Sequence, residues 1–119
     1  MPFILRSKID KMAENEPFPG KRSRRLVGKD NGSVALTVTD SNIEPDSKVG
    51  LHIHPNFEEA VLIMEGSIEG VIGDEVRTLA PGDVMLVPAG TKHAVNNRTN
   101  EAARVIHIIP TNAPVRFPA

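Results

Sequence analysis

The chain has 119 residues, a formal net charge of −1, no cysteine, and four phenylalanines as its only large aromatics. That length fits one domain with one aliphatic core. The charge gives no electrostatic footprint for nucleic acid or an anionic membrane, and the missing cysteine excludes disulfides, thiolate metal sites and a cysteine nucleophile.

The first apolar stretch, Phe3-Ile4-Leu5, is too short for a signal-peptide core, and no run approaches a membrane span. The expectation is a cytoplasmic protein with no membrane partner. Residues 7–14 read as one or two helical turns, with Ser7 as N-cap and Ile9, Met12 and Ala13 on one side. Pro17, Pro19 and Gly20 then mark Asn15 to Gly20 as a turn or linker. The basic run Lys21-Arg22-Ser23-Arg24-Arg25 reads as solvated charge on an edge strand, where lysine and arginine discourage edge pairing. It lacks the interleaved aromatics and recognition helix of a nucleic-acid site.

From Arg24 onward the pattern is β. Short apolar or alternating segments are punctuated by glycine and proline, and they predict strands at 24–28, 33–40, 49–54, 58–65, 68–73, 75–79, 84–87, 92–97 and 103–110. Gly73-Asp74-Glu75 has the form of a hairpin turn and Pro81-Gly82-Asp83 that of a tight turn. Many short strands with almost no helix imply an all-β sandwich or barrel. Val34-Leu36-Val38 and Ala60-Leu62-Met64 make several strands apolar on both faces. A second buried surface, such as a homodimer interface, would account for that.

Three of the four histidines fall in two segments that combine imidazole with carboxylate, a donor set for a first-row divalent ion. On a strand, His52 and His54 share a face. Pro55 ends that strand, Glu59 begins the next and can reach back, and His93 arrives after the Pro88-Ala89-Gly90 turn. Alternation sends Glu59, Val61 and Ile63 inward and Glu58 outward. His52-x-His54 taken alone is equally a pair of surface histidines at a strand end.

The fuller pattern resembles the cupin superfamily. His52-x-His54, four residues, Glu59, six residues and Gly66 follow its first motif. Gly82, five residues, Pro88-x-Gly90, two residues, His93, three residues and Asn97 follow its second. One position departs, since the first motif's opening glycine would stand at 46, which is Asp46. Pro45-Asp46-Ser47 is itself a good turn sequence, so this reads as a loop variation.

The resemblance implies a double-stranded β-helix, or jelly-roll barrel. Residues 1–32 would form an N-terminal extension and edge strand, 33–112 the barrel domain, and 113–119 a C-terminal tail. It implies His52, His54, Glu59 and His93 as ligands to one divalent transition metal per chain, with manganese, iron, nickel, copper and zinc all compatible. It also implies a homodimer. Asn97 reads as structural, and Gly82 and Gly90 as positions of positive φ or tight contact.

His107 lies on the last long strand. It is either a histidine on the outer face or a catalytic pocket residue acting as acid or base. The functional expectation is a mononuclear metal-dependent oxygenase acting on a small organic substrate. The alternative is a non-catalytic or isomerase-type module binding a carbohydrate or carboxylate. Val61 and Ile63 as inward residues suggest a partly apolar pocket.

Overall fold

The computed structural model describes residues 2–119. A four-residue helix, α1 (Arg6–Ile9), precedes twelve strands. These are β1 (Asn15–Phe18), β2 (Lys21–Val27), β3 (Thr37–Ile43), β4 (Ser47–Lys48), β5 (His52–Ile53), β6 (Glu59–Glu65), β7 (Ile68–Ile72), β8 (Glu75–Leu79), β9 (Val84–Val87), β10 (His93–Asn97), β11 (Ala103–Ile109) and β12 (Phe117–Pro118). One sheet has the order β1-β2-β3-β11-β6-β9 and the other β12-β5-β10-β7-β8, with β4 also on β10. All pairings are antiparallel. The all-β jelly-roll expectation therefore holds. Among the described residues, no helix is long and apolar enough to cross a membrane.

The core is aliphatic, as the shortage of aromatics requires. Ile43, Val49, Val61, Ile63, Ile68, Met85, Val87, Val95, Ala103 and Val105 form one cluster. Glu59, Val61 and Ile63 are buried on β6 while Glu58 is exposed, which is the alternation expected. Gly73 and Asp74 link β7 to β8 as a two-residue hairpin loop. Gly82 and Gly90 have φ of 96° and 74°, with open space where a side chain would stand. Their requirement is conformational rather than steric.

Four local expectations are corrected. The helix covers only Arg6–Ile9, with Leu5 rather than Ser7 at its N-cap and no side-chain cap; so short a segment has little intrinsic helical stability. Asn15–Phe18 is a strand, not a linker. It is the sheet's outer strand and pairs only with β2, so Pro17 interrupts no central ladder. The 49–54 strand is broken, with only His52–Ile53 in strand conformation and Val49-Gly50-Leu51 separating it from Ser47–Lys48.

The β3 strand runs Thr37–Ile43 rather than 33–40, and its inward face is Thr37, Thr39, Ser41 and Ile43. Val34 is 89% exposed and Leu36 46%. The apolar alternation is real but belongs to the outer side. The inner side is polar because partners are waiting: Ser41 Oγ lies 2.7 Å from Ser23 Oγ, and Thr37 Oγ1 donates to the Thr111 carbonyl at 2.7 Å.

Asp46 is the only non-glycine with positive φ among the described residues, at 54°. The conformation that a glycine would supply at this position is thus retained by an aspartate, at a steric cost. Asp46→Gly is expected to stabilise the fold by roughly 0.5–1 kcal/mol. Urea denaturation would register it as a higher midpoint with an unchanged slope.

Candidate metal centre

Two sequence-distant segments meet because β10 lies beside β5. His93 pairs directly with His52, and the Gly90 amide donates to the His54 carbonyl at 2.8 Å. The Pro88-Ala89-Gly90 turn of the second motif is thereby pinned to the histidine pair of the first. Glu59 begins β6 on the facing sheet. One ligand atom from each of His52, His54, Glu59 and His93 lies within 4.8 Å of the others.

Each of the three imidazoles is oriented through Nδ1. His52 Nδ1 bonds the Gly50 carbonyl at 2.8 Å, His54 Nδ1 the Val115 carbonyl at 2.7 Å, and His93 Nδ1 the Thr91 carbonyl at 3.0 Å. A carbonyl only accepts, so each Nδ1 carries the proton and each Nε2 of a neutral ring is left with a lone pair. His54 Nε2 is 2.9 Å and His93 Nε2 3.3 Å from Glu59 Oε2. Glu59 Oε2 and His93 Nε2 are buried without a hydrogen-bond partner among the described residues.

Acceptors pressed against an acceptor repel unless a cation stands between them. Adjacent ligands on an ion at about 2.1 Å stand about 3 Å apart, which matches these separations. The donor set therefore fits one divalent transition ion.

Burial pushes the His52 imidazole down to about 4, with the Gly50 carbonyl pulling the other way. The ring is neutral at physiological pH, as a ligand must be. Burial would raise the Glu59 carboxyl, but His107, His54 and His93 outweigh it and hold the group well below the usual carboxylate range. Burial would likewise lower His54. Its contacts with Glu59 and with the Val115 carbonyl prevail and raise it.

His107 points inward. It is buried on β11, its Nδ1 is 2.6 Å from Glu59 Oε1, and its Nε2 has no partner among the described residues. Glu59 is ionised, so His107 Nδ1–H is the donor. Burial, with the Lys21 charge nearby, pushes the ring down, so it is neutral with a free Nε2. Asn97 is fully buried and ties the β10–β11 connection rather than facing the ligands. Its Nδ2 donates to the Ile43 and Glu101 carbonyls at 3.0 and 2.7 Å, and its Oδ1 accepts from Thr99 N and Oγ1 at 3.0 and 2.7 Å.

The ligand cluster opens into a cavity of about 450 Å³, within the range of small-molecule sites. Its lining corrects the expectation of an apolar pocket. Val61 and Ile63 lie in the core cluster instead. Lys21, Ser23, Arg25, Thr37, Thr39 and Arg116 line the walls. The sequence reading of the basic run missed this because it counted charge rather than phase. On β2, alternation puts Lys21, Ser23 and Arg25 on one side, and Lys21 is only 7% exposed.

Residues 40–109 match the family described as Cupin domain. The chain belongs to the cupin family. It is 28% identical over 115 residues to quercetin 2,3-dioxygenase of Bacillus subtilis, covering 94% of this chain and 32% of that protein. It is 36% identical over 96 residues to the tetracenomycin polyketide synthase protein TcmJ of Streptomyces glaucescens, covering 80% of this chain and 64% of the relative. The chain thus spans about a third to two thirds of these relatives' length. The solved polyketide cyclase RemF of Streptomyces resistomycificus superposes over 100% of this chain and 85% of its own, with a TM-score of 0.84 at 20% identity. That likeness bears on fold alone.

Proposed function

We propose that this cupin is a mononuclear metal-dependent enzyme of the oxygenase type, acting on a small organic molecule in the cavity. The observation that carries the reading is the convergence of three oriented Nε2 lone pairs and one carboxylate oxygen at the floor of that cavity. His52, His54, Glu59 and His93 would hold the ion. Those four ligands would leave a six-coordinate ion able to take exogenous ligands as well. A redox-active divalent ion there would supply Lewis acidity and one-electron chemistry. The likeness to a dioxygenase supports this class. Elemental analysis of protein purified without a metal-binding tag, followed by oxygen-uptake screening with the metal found, tests it. Protein that holds no transition metal, or that consumes no oxygen with any substrate screened, would sink the reading.

His107 is the residue assigned to proton handling. Its Nδ1–H is fixed on Glu59 and its neutral Nε2 is a base with no other partner, as general-base work requires. His107→Ala is expected to lower turnover by roughly 10²–10⁴-fold while metal content stays near stoichiometric. Loss of the metal in that variant would reassign His107 to holding Glu59 in place.

A homodimer is part of the same proposal. Met64 on β6 and Val84 and Leu86 on the neighbouring edge strand β9 are 42%, 57% and 60% exposed. Apolar side chains on a sheet edge favour a second surface against them. Light scattering at micromolar concentration should give twice the chain mass of 12.9 kDa, and a monodisperse monomer would remove this part.

A further inference from the structure

The charged side chains of β2 divide by face. Outward, Arg22 pairs with Glu44, and Arg24 reaches Glu14 at 3.8 Å and the Met12 carbonyl at 3.2 Å. Inward, Lys21 and Arg25 line the cavity, and among the described residues neither has an ion-pair partner. Lys21 is 7% exposed, against the Phe18 ring with Nζ 5.8 Å from its centroid. From the C-terminal segment Arg116 lays its guanidinium over that ring, 4.5 Å from the centroid, and also lines the cavity.

Two carboxylates share this lining. Glu59 is committed to the three imidazoles around it. Glu16 is exposed and accepts from the Gly20 amide at 3.4 Å. A buried ammonium without a counter-charge is costly to keep. Burial, only partly offset by Glu59, pushes Lys21 down to about 8, which still leaves most of it charged at neutral pH. A divalent ion on the Glu59 carboxylate would leave the inner cavity with excess positive charge and, among the described residues, no other buried carboxylate to balance it.

We propose that the missing counter-charge is the substrate's own: the cavity takes a small organic oxyanion, a carboxylate or a phosphate monoester. Its charged end is held by Lys21, with Arg25 and Arg116 at the mouth. This names the substrate class of the proposed metal centre and rests on that reading for its reactive end.

Calorimetric titration of the metal-loaded full chain tests it, with benzoate, glutarate and phenyl phosphate against the neutral benzamide and dimethyl glutarate. Metal content is measured on the same samples. At least one anion should bind tenfold or more tightly than its neutral counterpart. Lys21→Met should remove that preference without lowering metal content, and Lys21→Arg should keep most of it. Which anion binds separates carboxylate from phosphate. Neutral and charged probes binding alike, none of the three anions binding, or an unchanged preference in Lys21→Met would each overturn the proposal. Should Lys21→Met fail to fold, Lys21→Gln and Arg116→Ala put the same question. Anion binding that depends on Lys21 in protein that takes up no metal would sink the metal reading and leave the anion site standing. Full metal loading with no anion preference would do the reverse.

Discussion

Glu59→Gln is expected to weaken metal binding by on the order of 100-fold or more, about 3 kcal/mol, while leaving the barrel folded. In the wild-type protein Glu59 Oε2 faces the Nε2 atoms of His54 and His93 at 2.9 and 3.3 Å, acceptor against acceptor. Oε1 meanwhile accepts from His107. Glutamine keeps the shape, and its oxygen can still accept from His107. Its amide N–H groups can donate to the two imidazoles, so the cluster becomes internally satisfied with no cation in it. The variant should therefore match or exceed the wild type in metal-free stability and lose only the ion. Chelator competition followed by thermal unfolding separates the two effects.

The pH dependence follows the same atoms. Metal binding needs neutral imidazoles, and Glu59 helps to raise the His54 pKa. Wild-type affinity should therefore fall as pH drops through the histidine range, with His54 competing first. His52, held near 4, should be among the last to take up a proton. Wild-type affinity that is flat with pH, or metal binding retained in Glu59→Gln, would remove Glu59 from the ligand set.

Asn97→Ala is expected to do the opposite, costing about 3 kcal/mol of stability and little metal affinity. For a chain of this size that is a fall of roughly 10–15 °C in Tm. The side chain is completely buried, and its amide satisfies the Ile43 and Glu101 carbonyls while its oxygen receives Thr99. Alanine removes both donors and the acceptor at once, so the buried Ile43 carbonyl loses its side-chain partner and the Glu101 carbonyl keeps only Thr99 Oγ1. Asn97 occupies the last place of the same motif that carries His93. A calorimetric scan with the metal content of each sample would separate structural from ligand positions within one motif. A Tm unchanged within 2–3 °C, the size of a mild surface effect, would show that Thr99 and water replace the amide.

What the sequence made legible was whatever depends on spacing along one strand or around one turn. Glu59 could be chosen over Glu58 because alternation has only two answers. Gly82 and Gly90 announced left-handed turns, and the two motifs placed His52, His54 and His93 in register with one another. The errors share a different cause. The apolar alternation at Val34 and Leu36 extends the strand to 33–40, although it starts only at Thr37, and nothing local marks Thr37, Thr39, Ser23 and Lys21 as cavity wall. A barrel built around a wet site has an inner face that is apolar at one end and polar at the other. No local pattern says where that change falls. The Asn15–Phe18 strand was missed because Pro17 is compatible with an outer strand, and which strand is outermost is a property of the whole sheet.

Two segments distant in sequence come together at the mouth of the cavity. Residues 15–18 of β1 form one side, and Pro114, Val115 and Arg116 form another. The Val115 carbonyl sets the tautomer of His54 from 61 positions away. A version trimmed to residues 40–109 would keep all four ligands and still lack the clamp on one of them, two of the three lining cations outside the ligand cluster on β2, and the third on Arg116. Counting ligands is then a poor guide to where the working unit begins and ends. Any small molecule entering the cavity passes two segments, 15–18 and 114–116, that both lie outside residues 40–109.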